Sequence, residues 1–165
     1  MKRFVLVLTT CVLCLIGMAQ SAQLPTVAIK DIHGTESSFS TLFNSDSDTI
    51  YIVSLWATWC VPCIKELDAI SENLPEWQKE VPLKLAGIST DDSRTISRVK
   101  SFVTGRGWEF SIYTDVNSTL KRALNVSNIP FLFLIKKGKI IYQHEGYLPG
   151  GEEALFEKIK ALNNK

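Results

Sequence analysis

The chain has no surplus of charge of either sign. Lys and Arg total 18 against 17 Asp and Glu in 165 residues. No single-signed field is available to steer nucleic acid or an acidic membrane surface, so neither is an expected partner of the folded domain. Lys136, Lys137 and Lys139 are too few for a nucleic-acid face and suit a charged hairpin tip. Histidine is scarce as well. The two present, His33 and His144, have no Cys, Asp or Glu at metal-ligand spacing. Both are read as solvated side chains, and neither a metal nor a cofactor is expected. With 9 Gly and 6 Pro and no internal repeat, the chain is not collagen-like or low-complexity, and its 45% hydrophobic content suits a packed core. The length points to one domain, and no linker interrupts it.

Long apolar runs are absent except at the start. Met1-Lys2-Arg3 is followed by the apolar or small stretch Phe4 to Ala19 and then by Gln20-Ser21-Ala22. Charged start, hydrophobic stretch and small-residue region are the layout of a secretory signal peptide, with cleavage after Ala19, Ser21 or Ala22. The run is shorter than the roughly 20 residues that a spanning helix needs. Residues 1–22 are therefore read as a signal peptide and 23–165 as the folded domain. The expected location is outside the cytoplasm, in the periplasm. The alternative is a retained N-terminal anchor, the one arrangement in which the chain would meet a membrane. Without Lys2 and Arg3 the domain carries 16 basic and 17 acidic residues, a formal charge of −1.

Cysteine is sparse in that domain. Cys11 and Cys14 lie inside the apolar run, and 45 residues separate them from Cys60 and Cys63, which exceeds ordinary zinc-ribbon spacing. That leaves one Cys-X-X-Cys pair in an oxidising compartment, either a staple or a redox centre. A disulfide closing so short a loop removes little entropy from the unfolded chain. Redox work is the better reading.

Thr49 to Trp56 is β-branched, aromatic and too short for a helix, the pattern of a buried strand. From 61 to about 73, Ile64, Leu67, Ile70 and Leu74 recur at helical steps. Cys60 thus falls at a strand-to-helix turn, where the helix N-terminus favours thiolate over thiol. Pro62 is tolerated because the first turn needs no N–H donor. Cys63, one turn in, is more sheltered. Further on, Leu83–Ser89 reads as a second buried strand, and Ser93 could cap a helix carrying Ile96, Val99 and Phe102 or Val103, ending near Gly105. Phe110–Tyr113 is a short apolar piece without an assigned partner. A helix covers Ser118–Leu124, a hairpin joins Phe131–Ile135 to Lys139–Gln143 through Lys137-Gly138, and a last helix covers Glu152–Leu162. Alternating strands and helices give an α/β fold.

The segment Leu55-Trp56-Ala57-Thr58-Trp59-Cys60-Val61-Pro62-Cys63 resembles the active-site signature of the thioredoxin superfamily. Its flanks, Leu24-Pro25 with Val27 to Gly34 before it and Ile129-Pro130 to Ile140 after it, resemble the TlpA/ResA-like branch of exported thiol-disulfide oxidoreductases. The resemblance spans about residues 24–160. It implies a three-layer sandwich around a mixed central sheet, with an N-terminal hairpin and a central insertion between Asp91 and Trp108. It implies that Pro130 is cis and faces the cysteines, that it keeps metal from the thiolates, and that the Ile129 backbone pairs with an extended substrate. Trp59 is either an apolar rim beside the sulfurs or ordinary buried packing. Val61 and Pro62 tune the pair.

The chemistry implied is a dithiol-disulfide cycle. Cys60 attacks a disulfide of an exported protein, Cys63 resolves the mixed disulfide, and a further donor protein restores the dithiol. An oxidant or isomerase using the same pair, and a non-catalytic binding module in which the pair is a staple, are the competing classes. Peroxiredoxin-like chains of this fold place their reactive Cys in a different motif without the adjacent Trp. Two departures from the resemblance bear on details. Ser54 stands where thioredoxins carry a buried aspartate, which leaves Glu66, three residues after Cys63, as the candidate proton acceptor; its alternative is a solvated surface carboxylate. Asp68 replaces a proline common in this helix.

Overall fold

In the computed structural model, residues 23–44 and 46–164 are described, and the signal-peptide assignment falls outside them. Among these residues seven strands form one mixed sheet: β1 (Ala28–Asp31), β2 (Glu36–Ser38), β3 (Ile50–Trp56), β4 (Leu83–Ser89), β5 (Ser111–Thr114), β6 (Phe131–Lys136) and β7 (Lys139–Glu145). The strand order is β2-β1-β5-β4-β3-β6-β7. β4 runs parallel to both β3 and β5, whereas β6 and β7 are antiparallel additions on one side and β1 and β2 on the other.

Alternation along β3 divides the core in two. Ile50, Ile52 and Trp56 face one side, where α2 (Val61–Glu80), α3 (Val99–Arg106) and α5 (Gly151–Asn163) contribute Leu67, Ile70, Val99, Val103, Leu155 and Ile159. Val53 and Leu55 face the other, against Phe39 and Phe43 of α1 (Phe39–Phe43) and Leu120 of α4 (Thr119–Ala123). Helices thus cover both faces of the sheet, giving the expected three layers.

Several elements differ in detail from the sequence expectation. The helix after the cysteines continues past Leu74, through Pro75, to Glu80. Pro75 removes one backbone donor, but the last turns are held by Trp77, whose ring stacks on Phe156 with centroids 4.8 Å apart. Tertiary packing outweighs the local break. Ser93 caps nothing: a 3-10 turn at Ile96–Arg98 precedes α3, and Asp92 supplies the turn by accepting the Arg94 N–H at 2.9 Å through its side chain and the Thr95 and Ile96 N–H groups through its carbonyl. α3 ends at Arg106, next to Gly105 as expected, and left-handed Gly107 caps it. The unassigned Phe110–Tyr113 piece becomes β5, which bridges β1 and β4. Asp68, the departure on α2, accepts hydrogen bonds from Trp108 Nε1 at 2.9 Å and Arg106 at 2.5 Å, tying the insertion to the helix that carries the cysteines.

The β6–β7 turn has positive φ at both Lys137 and Gly138, the conformation that a two-residue hairpin of this twist demands. Gly87 has a different purpose. A Cβ there would lie 2.9 Å from Ile112 and 3.0 Å from the Trp56 indole, so β4 must be bare for Trp56 to lie against it.

Replacing Phe156 by Ala removes the ring on which Trp77 stacks. We expect a loss of about 3 kcal/mol, measured as a lower urea midpoint without loss of cooperativity. A change under about 1 kcal/mol would mean that α5 does not hold the end of α2.

Candidate active site

β3 ends at Trp56, and the chain turns through Ala57-Thr58-Trp59 before α2 begins. Cys60 N–H donates to Ala57 O at 3.0 Å, closing the turn, and Ile64 N–H donates back to Cys60 O at 3.1 Å as the helix starts. Cys60 is the N-cap of α2, and its Sγ accepts from Cys63 N–H at 3.4 Å. The unpaired donors and the dipole of a 20-residue helix therefore point at this sulfur. Such an environment favours a thiolate when the pair is reduced. Cys60 and Cys63 are joined by a disulfide, with Cα atoms 5.3 Å apart. Cys63 is fully buried, and Cys60 keeps 5% exposure at the surface end. The asymmetry suits one attacking and one resolving sulfur.

Trp59 is 64% exposed and Val61 61%, so Trp59 is not core packing. Pro62 is exposed as well, so the three apolar residues that flank Cys60 in the chain are open to solvent.

The turn is held from beneath by a residue that sequence reasoning passed over. Asp91, completely buried, accepts from Thr58 N–H at 2.8 Å, Thr58 Oγ1–H at 2.6 Å and Ser89 Oγ–H at 2.8 Å. Thr90 N–H and its hydroxyl both donate to Trp56 O. These bonds lock the end of β4 to the turn that presents Cys60. The available signal was the polar Thr58 and Ser89 bordering apolar strands, which need a buried partner.

Pro130 is buried, and the Ile129-Pro130 peptide is cis, as the resemblance implied. Leu55 pairs with Phe131, so this peptide stands at the same end of the sheet as the cysteine turn. Gly146 N–H donates to Pro130 O at 2.8 Å, and Asn128 Nδ2 to Glu145 Oε1 at 2.8 Å, fixing the loop to the end of β7.

Glu66 is not a surface carboxylate. It is 1% exposed, one turn beyond Cys63, and its Oε2 accepts from Ser54 Oγ–H at 2.8 Å. Ser54 thus supports an acid on the helix in place of an acid on the strand. The solvated reading of His144 is corrected too. Only 28% of its side chain is exposed, and Nε2 lies 3.4 Å from Glu66 Oε1. β7 pairs with β6 so that His144 stands opposite Leu132, itself opposite Ser54, a cross-strand relation that a linear reading of the chain does not contain. His33 is exposed, as expected. No cluster of three or more metal-ligating side chains occurs among the described residues.

A strand-to-helix Cys-X-X-Cys turn with a cis proline at the same end of the sheet agrees with the sequence resemblance, and so does a family match. Residues 21–144 match the model of the AhpC/TSA family. The chain belongs to the AhpC/TSA family. Relatives sharpen the picture of this AhpC/TSA chain. Thiol-disulfide oxidoreductase ResA of Bacillus thuringiensis (strain Al Hakam) is 33% identical over 92 residues, 55% of this chain and 51% of the relative. The chain spans about half the length of such curated relatives. An uncharacterized thioredoxin-like protein from Porphyromonas gingivalis, solved in solution, is 40% identical and superposes with a TM-score of 0.75, covering 87% of this chain and 93% of that one. A putative thiol:disulfide interchange protein DsbE from Chlorobium tepidum shares the fold at 24% identity and TM-score 0.71, covering 87% of this chain and 96% of that one.

Two outcomes check this geometry. Asp91→Ala strands the Thr58 and Ser89 donors, and we expect a loss of about 3 kcal/mol together with faster proteolysis at the Ala57–Trp59 turn; wild-type stability would show that Asp91 is not the clamp. At the cavity beside His144, burial chiefly, and then the hydrogen bond to Glu152, push the Tyr147 hydroxyl up to about 12. Its proton is held in the folded state and lost more readily on unfolding, so this contribution to stability is complete below pH 10 and disappears as pH rises toward 12. Denaturation midpoints should fall across that window, and less steeply in Tyr147→Phe.

Proposed function

We propose that the protein is a thiol-disulfide oxidoreductase that reduces disulfides of exported proteins through Cys60 and Cys63. The single observation that carries this reading is the disulfide at the N-terminus of α2, in which Cys60 keeps 5% exposure and Cys63 none. Residues 1–22, with the layout of a signal peptide, support export, and the AhpC/TSA match is compatible with thiol chemistry. No helix among the described residues is long and apolar enough to cross a membrane.

In this reading Cys60, as thiolate, attacks a substrate disulfide and expels one substrate sulfur, forming a mixed disulfide. Cys63 then attacks Cys60 Sγ, closing the internal disulfide and releasing the second substrate thiol. Two electrons pass from the protein to the substrate, and a thiol donor protein must return them. The Ile129 backbone and Pro130 receive the extended substrate segment. Trp59, Val61 and Pro62 provide apolar contact, which suits unfolded or loop segments around a substrate disulfide. Glu66 accepts the Cys63 proton: it is buried within one helical turn, where water cannot serve as readily.

Insulin, with a small-molecule thiol supplied as donor, provides the test. The wild-type domain should accelerate insulin reduction. Cys60→Ser should abolish the acceleration, and Cys63→Ser should accumulate a Cys60 mixed disulfide visible by mass. Unchanged reduction by Cys60→Ser would assign the pair to a structural staple, and peroxide turnover without insulin reduction would assign the chain to a different chemistry.

A further inference from the structure

Cys63 is fully buried and Glu66 is 1% exposed, so a proton given up during resolution must leave by way of the groups that border Glu66. Glu66 has two neighbours that matter. Ser54 donates to Oε2 and is itself fully buried, which makes it a support and not an exit. Oε1 makes no hydrogen bond and lies 3.4 Å from His144 Nε2. His144 and Glu66 line a cavity of about 540 Å³ between β7 and α5.

The titratable groups facing this cavity are Glu66 from α2, Tyr142, His144 and Glu145 from β7, Tyr147 from the connecting loop, and Glu152 and Lys158 from α5. Most are committed elsewhere. Tyr147 donates to Glu152 at 2.7 Å, Glu152 also accepts from Gly150 N–H, Glu145 accepts from Asn128, and the Lys158 ammonium lies over the Tyr142 ring at 5.5 Å. Among the described residues, His144 is the one basic group within ion-pair distance of Glu66. It is also part-exposed, so it touches both the buried acid and solvent.

We propose that His144 is the proton outlet of the site, a positioning residue acting through Glu66. The inference rests on the reading of Glu66 as the Cys63 proton acceptor. During resolution the Cys63 thiol proton passes to the Glu66 carboxylate as the Cys63 sulfur attacks Cys60 Sγ. The Cys60–Cys63 bond forms, the bond from Cys60 to the substrate sulfur breaks, and the electron pair leaves with that sulfur as thiolate. Glu66 returns to its charged form by passing the proton to His144 Nε2. The resulting imidazolium releases its Nδ1 proton to water in the cavity, the imidazole regains its Nδ1–H form by proton exchange with that water, and solvent protonates the departing thiolate. This half-reaction needs no reactant beyond the dithiol, the substrate disulfide and water. An imidazole is suited to this position because its two nitrogens can accept on one side and donate on the other.

The test monitors oxidation of the reduced domain by oxidised glutathione in stopped flow, through tryptophan fluorescence and acid-quenched mixed disulfide. His144→Asn and His144→Gln should each slow the second, intramolecular phase by about tenfold, less than the roughly 100-fold or more of a group that takes the reacting proton directly, because His144 acts through Glu66. Added imidazole should restore much of that rate, since the cavity is roomy enough to admit it. Glu66→Gln should slow the same phase without rescue, because the acceptor itself is missing. Slow resolution in Glu66→Gln with wild-type rates in both His144 variants would overturn the outlet and leave Glu66 in place. Wild-type resolution in Glu66→Gln would overturn the acceptor and the outlet with it. Slow His144 variants that imidazole does not rescue would assign His144 a packing role and also overturn the proposal.

Discussion

The carboxyl end of β3 and the amino end of α2 meet at Cys60, and most of the molecule is arranged to hold that junction. A strand buried on both faces can stop abruptly only if its last carbonyls and the helix's first N–H groups find partners. Thr90 takes the Trp56 carbonyl, Asp91 takes the Thr58 donors, and the Cys60 sulfur takes the Cys63 N–H. The sulfur is thus one of the caps. Any charge it develops meets oriented donors, with no reorganisation required.

Two layers of support stand behind the junction. In the sheet, the parallel β3–β4 pairing sets the two strand ends level, so that Asp91 arrives beneath the turn, and the antiparallel β3–β6 pairing brings the cis proline alongside. In the helical layer, Asp68 anchors the insertion through Trp108 and Arg106, and Trp77 and Phe156 join the far end of α2 to α5. The cysteines therefore sit on a helix restrained at both ends. Trp59, Val61 and Pro62 are left exposed on either side of Cys60 in the chain.

Local features of the chain were legible in one dimension. The apolar run to Trp56, the helical spacing of Ile64, Leu67 and Ile70, the hairpin at Lys137-Gly138 and the Cys-X-X-Cys pair all express themselves within a few residues, and they appear where the sequence pattern puts them. Relations between distant strands were not. Ser54, Glu66 and His144 become one group only when β3, β6, β7 and α2 are side by side, and His144 alone looks like any polar residue near a strand end. Asp91 is hidden for the same reason, its partner Thr58 lying 33 residues away. The extent of α2 was underestimated because Pro75 is a local signal for an ending, while Trp77 answers to a surface that another helix provides.

A reductant role for the Cys60–Cys63 pair requires that its dithiol be restored from outside and that its electrons lie at low potential. The reduction potential is therefore the most direct measure, determined by equilibrating the domain with glutathione and quantifying the thiol fraction, with the two single Cys→Ser variants as controls. A low potential is predicted, near the value of about −270 mV typical of thioredoxin. A value near about −120 mV, that of a strong oxidant, would contradict the reductant role and reverse the direction of electron flow.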